Sequence, residues 1–357
     1  MPEAIETVLV GAGRMGAVHA RALRDHVEGL RVVAVVEPDR GLAERAVELL
    51  GAGVAVHADL TAALEAEDAR ACVIAAPTPL HAGLSERALA AGLHVFCEKP
   101  MGFDPDLGLA LERQAAEADR ILQLGYWRRF AAPWRKAKEL IDAGAIGRPV
   151  WVRSSQWDAI VARLSFCDPA VSGGLLVDFG VHDFDLVEWL TGERITEVDT
   201  RVLRLVDPEL DRVGDYDNAI VNLRFTGEVA GMIDLSRNAA YGDDVRTEIL
   251  GERGAIFVDT LPDGTTRVGT ADGVETFAHG SGDDAFLLGI AAELTAFAEA
   301  AAGRLDRSAL PGPAEDRRAL INALAARQSA ITGGPIDPER GPIASLPTTP
   351  TTIEEEQ

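Results

Sequence analysis

Strand-like apolar runs alternate with helical patterns throughout the first 125 residues, and no other feature constrains the fold of this chain as strongly. The spacing predicts strands at 5–10, 31–36, 54–57, 71–75, 94–97 and 121–125, with helices at 15–23, 41–50, 60–66, 79–91 and 105–118. Strands joined by helices pair in parallel through right-handed crossovers, so this part reads as a doubly wound Rossmann sheet of the α/β class. A first domain is expected over residues 1–125.

The pattern then changes. A helix at 132–143 and a strand at 150–155 lead through an irregular stretch to Ser172. Consecutive β-rich runs follow at 197–205, 219–225, 229–237, 247–250, 255–259 and 266–268, with helices at 284–302 and 313–329. Strands without intervening helices favour a largely antiparallel open sheet, giving an α+β second domain over residues 126–335. The proline- and threonine-rich tail, 336–357, is expected to be extended or disordered. No internal repeat is found.

With 357 residues and a formal charge of -23, the chain lacks the basic surface that nucleic acid or an anionic membrane requires. A small-molecule partner is the better expectation. Cys72, Cys97 and Cys167 are too scattered for a disulfide framework, which fits a reduced, cytoplasmic compartment. Neither a leader-like N-terminus nor an apolar run of spanning length is present in the sequence. Lysine is scarce, occurring only as Lys99, Lys136 and Lys138, so Lys99 stands out in its apolar surroundings.

Gly11-Ala-Gly13-Arg14-Met15-Gly16 follows the first strand and opens a helix, where glycines allow a dinucleotide pyrophosphate to approach backbone N–H groups. Glu37 ends the second strand, about 20 residues on, where a carboxylate accepts from adenosine ribose hydroxyls and favours NAD. Arg40 keeps NADP open. Ala76, Thr78 and His81 lie where a strand gives way to a helix, a position that ordinary capping also explains. Cys97-Glu98-Lys99-Pro100 ends a further strand of the same sheet. There an ammonium can stabilise alkoxide character, although a surface Glu98–Lys99 pair is the plainer alternative.

Gly173 to Asp185 crowds a histidine and three carboxylates into an apolar segment. If it is helical from about Asp178, then Asp178, His182 and Asp185 share one face, and a carboxylate beside an imidazole suits proton transfer. A capped, salt-bridged helix start is one rival. Zinc is another, disfavoured because no second histidine or cysteine stands at ligand spacing, so no metal is expected.

In this order the motifs resemble the Gfo/Idh/MocA family of glucose-fructose oxidoreductase, inositol dehydrogenase and rhizopine catabolism proteins, from Val8 to about Ser329. The Glu98-Lys99-Pro100 triplet and the Gly-Gly-x-x-x-Asp178-x-Gly180-x-His182-x-x-Asp185 segment carry the resemblance. Gly125 to Phe130, Ala137 to Pro149 and Arg237 to Gly242 look most like inositol 2-dehydrogenases; Trp127 and the loop 156–171 depart from them. The resemblance implies that Lys99, Asp178 and His182 form the catalytic set. His182 would take the hydroxyl proton while hydride passes to nicotinamide, Lys99 would polarise the oxygen, and Arg128, Asp185 and Tyr241 would contact a polyol or sugar. Cofactor contacts are expected from Gly11, Gly13, Arg14, Met15, Gly16, Glu37, Arg40, Ala76, Thr78, His81, Glu98 and Lys99. An aldose dehydrogenase, an NAD-assisted glycosidase or epimerase, and a sugar-responsive regulator remain alternatives. A homodimer or homotetramer is implied as well.

Overall fold

A computed structural model describes residues 4–159, 163–260, 264–279, 282–347 and 349–351. Two compact units are built from four stretches of chain: residues 1–130 with 286–317, and residues 131–285 with 318–357.

In the first unit the chain runs through β1 (Ile5–Val10), α1 (Arg14–Asp25), β2 (Leu30–Val36), α2 (Arg40–Leu50), β3 (Ala55–His57) and α3 (Leu60–Ala66). It continues through β4 (Ala71–Ile74), α4 (His81–Ala90), β5 (His94–Cys97), α5 (Leu107–Glu117) and β6 (Leu122–Leu124). The sheet is parallel throughout, in the order β3-β2-β1-β4-β5-β6. Helices cover both of its faces, which is why β4 is buried at every residue and reads as an unbroken apolar run. Strand order reverses between β1 and β4, the topological switch point where such sheets bind ligands.

The second unit contains α6 (Ala132–Asp142), β7 (Pro149–Trp157), and the short helices α7 (Leu164–Cys167), α8 (Pro169–Ser172) and α9 (Gly174–Asp178). Then come α10 (Gly180–Thr191), β8 (Ile195–Leu203), β9 (Asn218–Phe225), β10 (Ala230–Ser236), β11 (Asp244–Gly251), β12 (Gly254–Asp259), β13 (Thr265–Thr270) and β14 (Gly273–Ala278). These strands form one sheet, β14-β13-β12-β11-β7-β10-β9-β8, antiparallel except for the β7–β10 pair. Register splits it into two faces. Val152, Val221, Ile233, Ile249 and Ile256 are buried on one; Trp151, Ile220, Leu250 and Phe257 are exposed on the other.

Two long helices, α11 (Gly282–Ala301) and α12 (Pro313–Thr332), complete the chain. The expected division at Gly125, with an uninterrupted second domain to residue 335, gives way to an interleaved one. Most of α11 belongs to the first unit: Phe297 meets Phe96 edge-on at 6.0 Å, and Gln123 Nε2 donates to the Glu293 carbonyl oxygen at 3.3 Å. Helical periodicity specifies a buried stripe but not which sheet covers it. The irregular stretch before Ser172 contains α7 and α8, with residues 160–162 outside the described residues. Of the tail, Ile336 pairs with Val198 and the Thr351 N–H donates to Asp168 Oδ2 at 2.6 Å; residues 348 and 352–357 lie outside the described residues.

At the switch point Gly11 has φ +91°, and a Cβ there would stand 2.6 Å from the Ala75 carbonyl oxygen. Gly13, two residues on, has φ -66° and open space around its missing side chain. Gly11→Ala is therefore expected to destabilise the protein by roughly 2–4 kcal/mol in urea unfolding, through strain and overlap. Gly13→Ala is expected to stay within about 1 kcal/mol of wild type. Equal losses at the two positions would contradict the close-approach explanation.

Candidate active site

The switch-point end of the first unit carries an uncapped helix N-terminus. Helix α1 begins at Gly13 with no side-chain cap and no acidic residue in its first turn, so its N-terminal N–H groups are left for a ligand. The empty space at Gly13 sits at that terminus. Beside it, the half-buried Glu37 carboxylate is fixed by two backbone donors, Ala12 N–H at 2.9 Å on Oε2 and Asp39 N–H at 3.0 Å on Oε1. Each carboxylate oxygen keeps capacity to accept a further hydrogen bond. Arg14 is exposed and Met15 half-buried, while Arg40 is engaged by Glu44 at 2.7 Å.

Lys99 is half-buried at the end of β5, between the buried residues Glu98 and Pro100. Its neighbour Glu98 points inward, where Oε1 lies 2.7 Å from Nε2 of the fully buried His19 on α1. Burial pushes the Glu98 carboxyl up, but the His19 hydrogen bond and the charges of His19, Lys99 and His81 outweigh it and hold the group below the ordinary glutamate range. A second acid, Glu293 on α11, is fully buried, and neither of its carboxylate oxygens has a partner among the described residues. Burial and the charge of Glu98 push it well above the ordinary range. Two carboxyls in one interior are thus driven apart, Glu98 downward and Glu293 upward. Neither His19 nor Glu293 stood out in the sequence; the available signal was a polar residue on an otherwise apolar helical stripe.

His81 has Nδ1 2.7 Å from the Pro100 carbonyl oxygen and Nε2 2.7 Å from that of Ala76, linking the turn after β4 to the turn that carries Lys99. Burial lowers its pKa. Thr78 and Ala76 are half-buried on the same turn.

In the second unit the segment from Gly173 to Asp185 is not one helix. Asp178 ends α9 and His182 lies in the first turn of α10, with Phe179 between the two helices. The single helix expected from about Asp178 is therefore two helices end to end, and Asp185 is buried where Asp178 and His182 are half-exposed. Periodicity could not show this break, because Phe179 retains helical dihedrals. Across residues 172–187 every side chain is buried except Asp178 and His182, which are half-exposed. Asp183 is fully buried and accepts from Ser154 Oγ at 2.5 Å, a structural role. Asp185 is buried too.

Arg128, in the first unit, is buried with its guanidinium 5.7 Å from the Trp127 ring, and Trp127 meets Phe286 edge-on at 5.0 Å. Tyr241 is 63% exposed, and its hydroxyl donates to Asp244 at 2.7 Å, a residue whose register places it on the open face of the sheet. Ser154, which binds Asp183, projects from the covered face.

Residues 5–126 match an oxidoreductase family with an NAD-binding Rossmann fold, and residues 134–257 match the GFO/IDH/MocA C-terminal domain. The chain belongs to the GFO/IDH/MocA family. It is 33% identical over 261 residues to the scyllo-inositol 2-dehydrogenase (NAD(+)) of Bacillus subtilis (strain 168), covering 73% of this chain and 75% of that one. The myo-inositol 2-dehydrogenase of Thermotoga maritima is 34% identical over 258 residues, covering 72% and 76%. Among solved structures, scyllo-inositol dehydrogenase from Lactobacillus casei, crystallised with NAD(H) and scyllo-inositol, superposes with a TM-score of 0.83 at 27% identity, covering 94% of this chain and all of that one. As a member of the family this chain is an oxidoreductase acting on CH–OH groups, and its first unit is an NAD-binding Rossmann domain. No helix among the described residues is long and apolar enough to cross a membrane.

The raised pKa of the buried Glu293 generates a pH-dependent prediction. Its folded pKa lies above the unfolded value of about 4.3, so as pH rises past that value only the unfolded chain ionises and the protein loses stability. Glu293→Gln removes this loss. The variant is expected to gain on wild type in urea unfolding between about pH 4 and pH 7. A stability difference that stays constant across that range would contradict a buried neutral carboxyl.

Proposed function

We propose that this family member oxidises a ring hydroxyl of a cyclic polyol or pyranose, with myo-inositol or a related inositol as first substrate. The observation that carries the reading is that Asp178 and His182 alone remain half-exposed in a stretch of sixteen residues otherwise buried. Leaving an acid and a base accessible in a stretch otherwise buried suits proton transfer better than capping. The inositol dehydrogenases among its relatives support the substrate class.

Bound NAD supplies the hydride acceptor. In this reading the α1 terminus at Gly11, Gly13, Arg14, Met15 and Gly16 receives the pyrophosphate and Glu37 the ribose hydroxyls, with Ala76, Thr78, His81 and Glu98 shaping the turns beside it. Arg40, engaged by Glu44, leaves Glu37 to set the preference for NAD. Lys99 donates to the reacting oxygen and favours its developing negative charge. His182 accepts the hydroxyl proton, and Asp178 orients the imidazole and a neighbouring hydroxyl. Arg128 and Asp185 bind other ring hydroxyls from fixed, buried positions. Tyr241 contributes only by leaving Asp244.

The exposed Trp151, Ile220, Leu250 and Phe257 on the open sheet face support a homodimer or homotetramer formed through that face, and sedimentation should give a mass above one chain.

Absorbance of reduced nicotinamide, followed across a panel of inositols and aldoses, tests the function. Turnover of at least one inositol is expected; none with any member would end this reading. Lys99→Ala is expected to leave NAD affinity nearly unchanged and lower kcat by about a hundredfold or more. Wild-type turnover in that variant would remove Lys99 from the chemistry.

A further inference from the structure

The α9–α10 segment rests on a buried ion pair that the chemistry does not use. Arg237, one residue past β10, and Asp215, in the turn before β9, are 4% and 3% exposed at their side chains, with 3.0 Å between guanidinium and carboxylate. The other carboxylate oxygen, Oδ1, accepts the Leu175 N–H at 2.9 Å, in the first turn of α9. Gly174 must be glycine for this approach, since a Cβ there would lie 2.7 Å from Asp215 Oδ1 and its φ is +71°. The Arg237 guanidinium also lies 4.7 Å from the ring of Phe179, the residue between Asp178 and α10. Buried ion pairs seldom repay their desolvation as stability, which directs attention to what this one holds in place.

We propose that Arg237 is a positioning residue for Asp178 and His182. Clamped by Asp215 and stacked on Phe179, it fixes the break between α9 and α10 and places a positive charge beside Asp178. The inference rests on the dehydrogenase reading of those two residues.

The surroundings agree with such a role. Burial works to discharge the guanidinium, but the Asp215 and Asp178 carboxylates outweigh it and keep it charged. The titratable groups facing Arg237 are Asp215 from the turn, Cys167 from α7 and Asp178 from α9. Asp207 acts in turn on Cys167, whose thiol is pushed up to about 11, chiefly by burial. Nε of Arg237 is buried without a hydrogen-bond partner among the described residues, so the side chain is held by its charge and its ring contact rather than by a saturated network. Asp178 lies within reach of that charge and is half-exposed, so a substrate meets a carboxylate backed by a fixed buried cation.

The test uses the full chain and three variants: Arg237→Met, Arg237→Lys and Asp215→Asn. Hydrogen exchange across residues 175–182, NAD affinity, and the pH profile of kcat/KM on the best inositol are measured for each. For Arg237→Met, exchange in that segment should rise about tenfold and kcat fall about 10- to 100-fold, with NAD affinity within about twofold of wild type. Its acid limb should move up, because a positive charge that opposes protonation of its neighbours is gone. Arg237→Lys should return the limb toward wild type while exchange stays raised. Asp215→Asn should raise exchange and leave the limb in place. Faster exchange with an unmoved limb in Arg237→Met would reduce the pair to a structural brace and overturn the proposal, as would wild-type values throughout. If Arg237→Met does not fold, Arg237→Gln, which keeps a polar head and removes the charge, takes its place, and a moved or unmoved limb in that variant decides in the same way. If wild type oxidises no polyol, the functional reading falls, and unchanged exchange in the variants would separately sink the positioning claim.

Discussion

Backbone contact between Gly11 and Ala75 is the constraint on which the cofactor side of this protein depends. Ending β1 and β4 side by side at the switch point leaves no room for a Cβ, and the chain must turn sharply there to begin α1. That turn leaves the α1 N-terminus uncapped and open at Gly13, and it places Ala12 where its N–H fixes the Glu37 carboxylate. From α1 the fully buried His19 then reaches Glu98, the residue before Lys99. One close approach thus orders the uncapped α1 terminus, the Glu37 carboxylate and the base of the lysine turn.

Much of this was legible in the sequence, for physical reasons that can be named. Strands β1, β4 and β5 are covered on both faces, so their burial appears as continuous apolar runs, and the helices between them carry a helical period. Glu98-Lys99-Pro100 and the Gly173 to Asp185 segment were visible because they place charge within apolar sequence. Strand β14 was missed: it is exposed at nearly every position and so has no alternation to read. The break at Phe179 was missed because periodicity persists through it. The docking of α11 on the first unit was missed because a buried stripe does not name its partner.

Long-range polar pairs were the other blind spot. His19 and Glu98 are 79 residues apart, Arg237 and Asp215 are 22 apart, and nothing local to either partner announces the other. Both pairs are buried, and each lies directly behind residues assigned to the chemistry: Glu98 precedes Lys99, and Asp215 anchors the helix that ends in Asp178. The same division recurs in both units, with a half-exposed residue proposed for the chemistry and a buried polar pair beneath it. It also separates the four acids nearest the proposed chemistry. Glu98 and Asp183 are committed to internal partners, Asp185 is buried, and Asp178 alone is half-exposed beside His182.

Hydride transfer from a ring carbon to NAD is the central claim, and its most direct measurement follows the hydrogen itself. An inositol carrying deuterium on its ring carbons is incubated with the enzyme and NAD, and the reduced cofactor is analysed by mass spectrometry and NMR. Deuterium on the hydride-accepting carbon of the nicotinamide ring is expected. Reduced cofactor lacking that deuterium, or no reduction by any inositol, would contradict it.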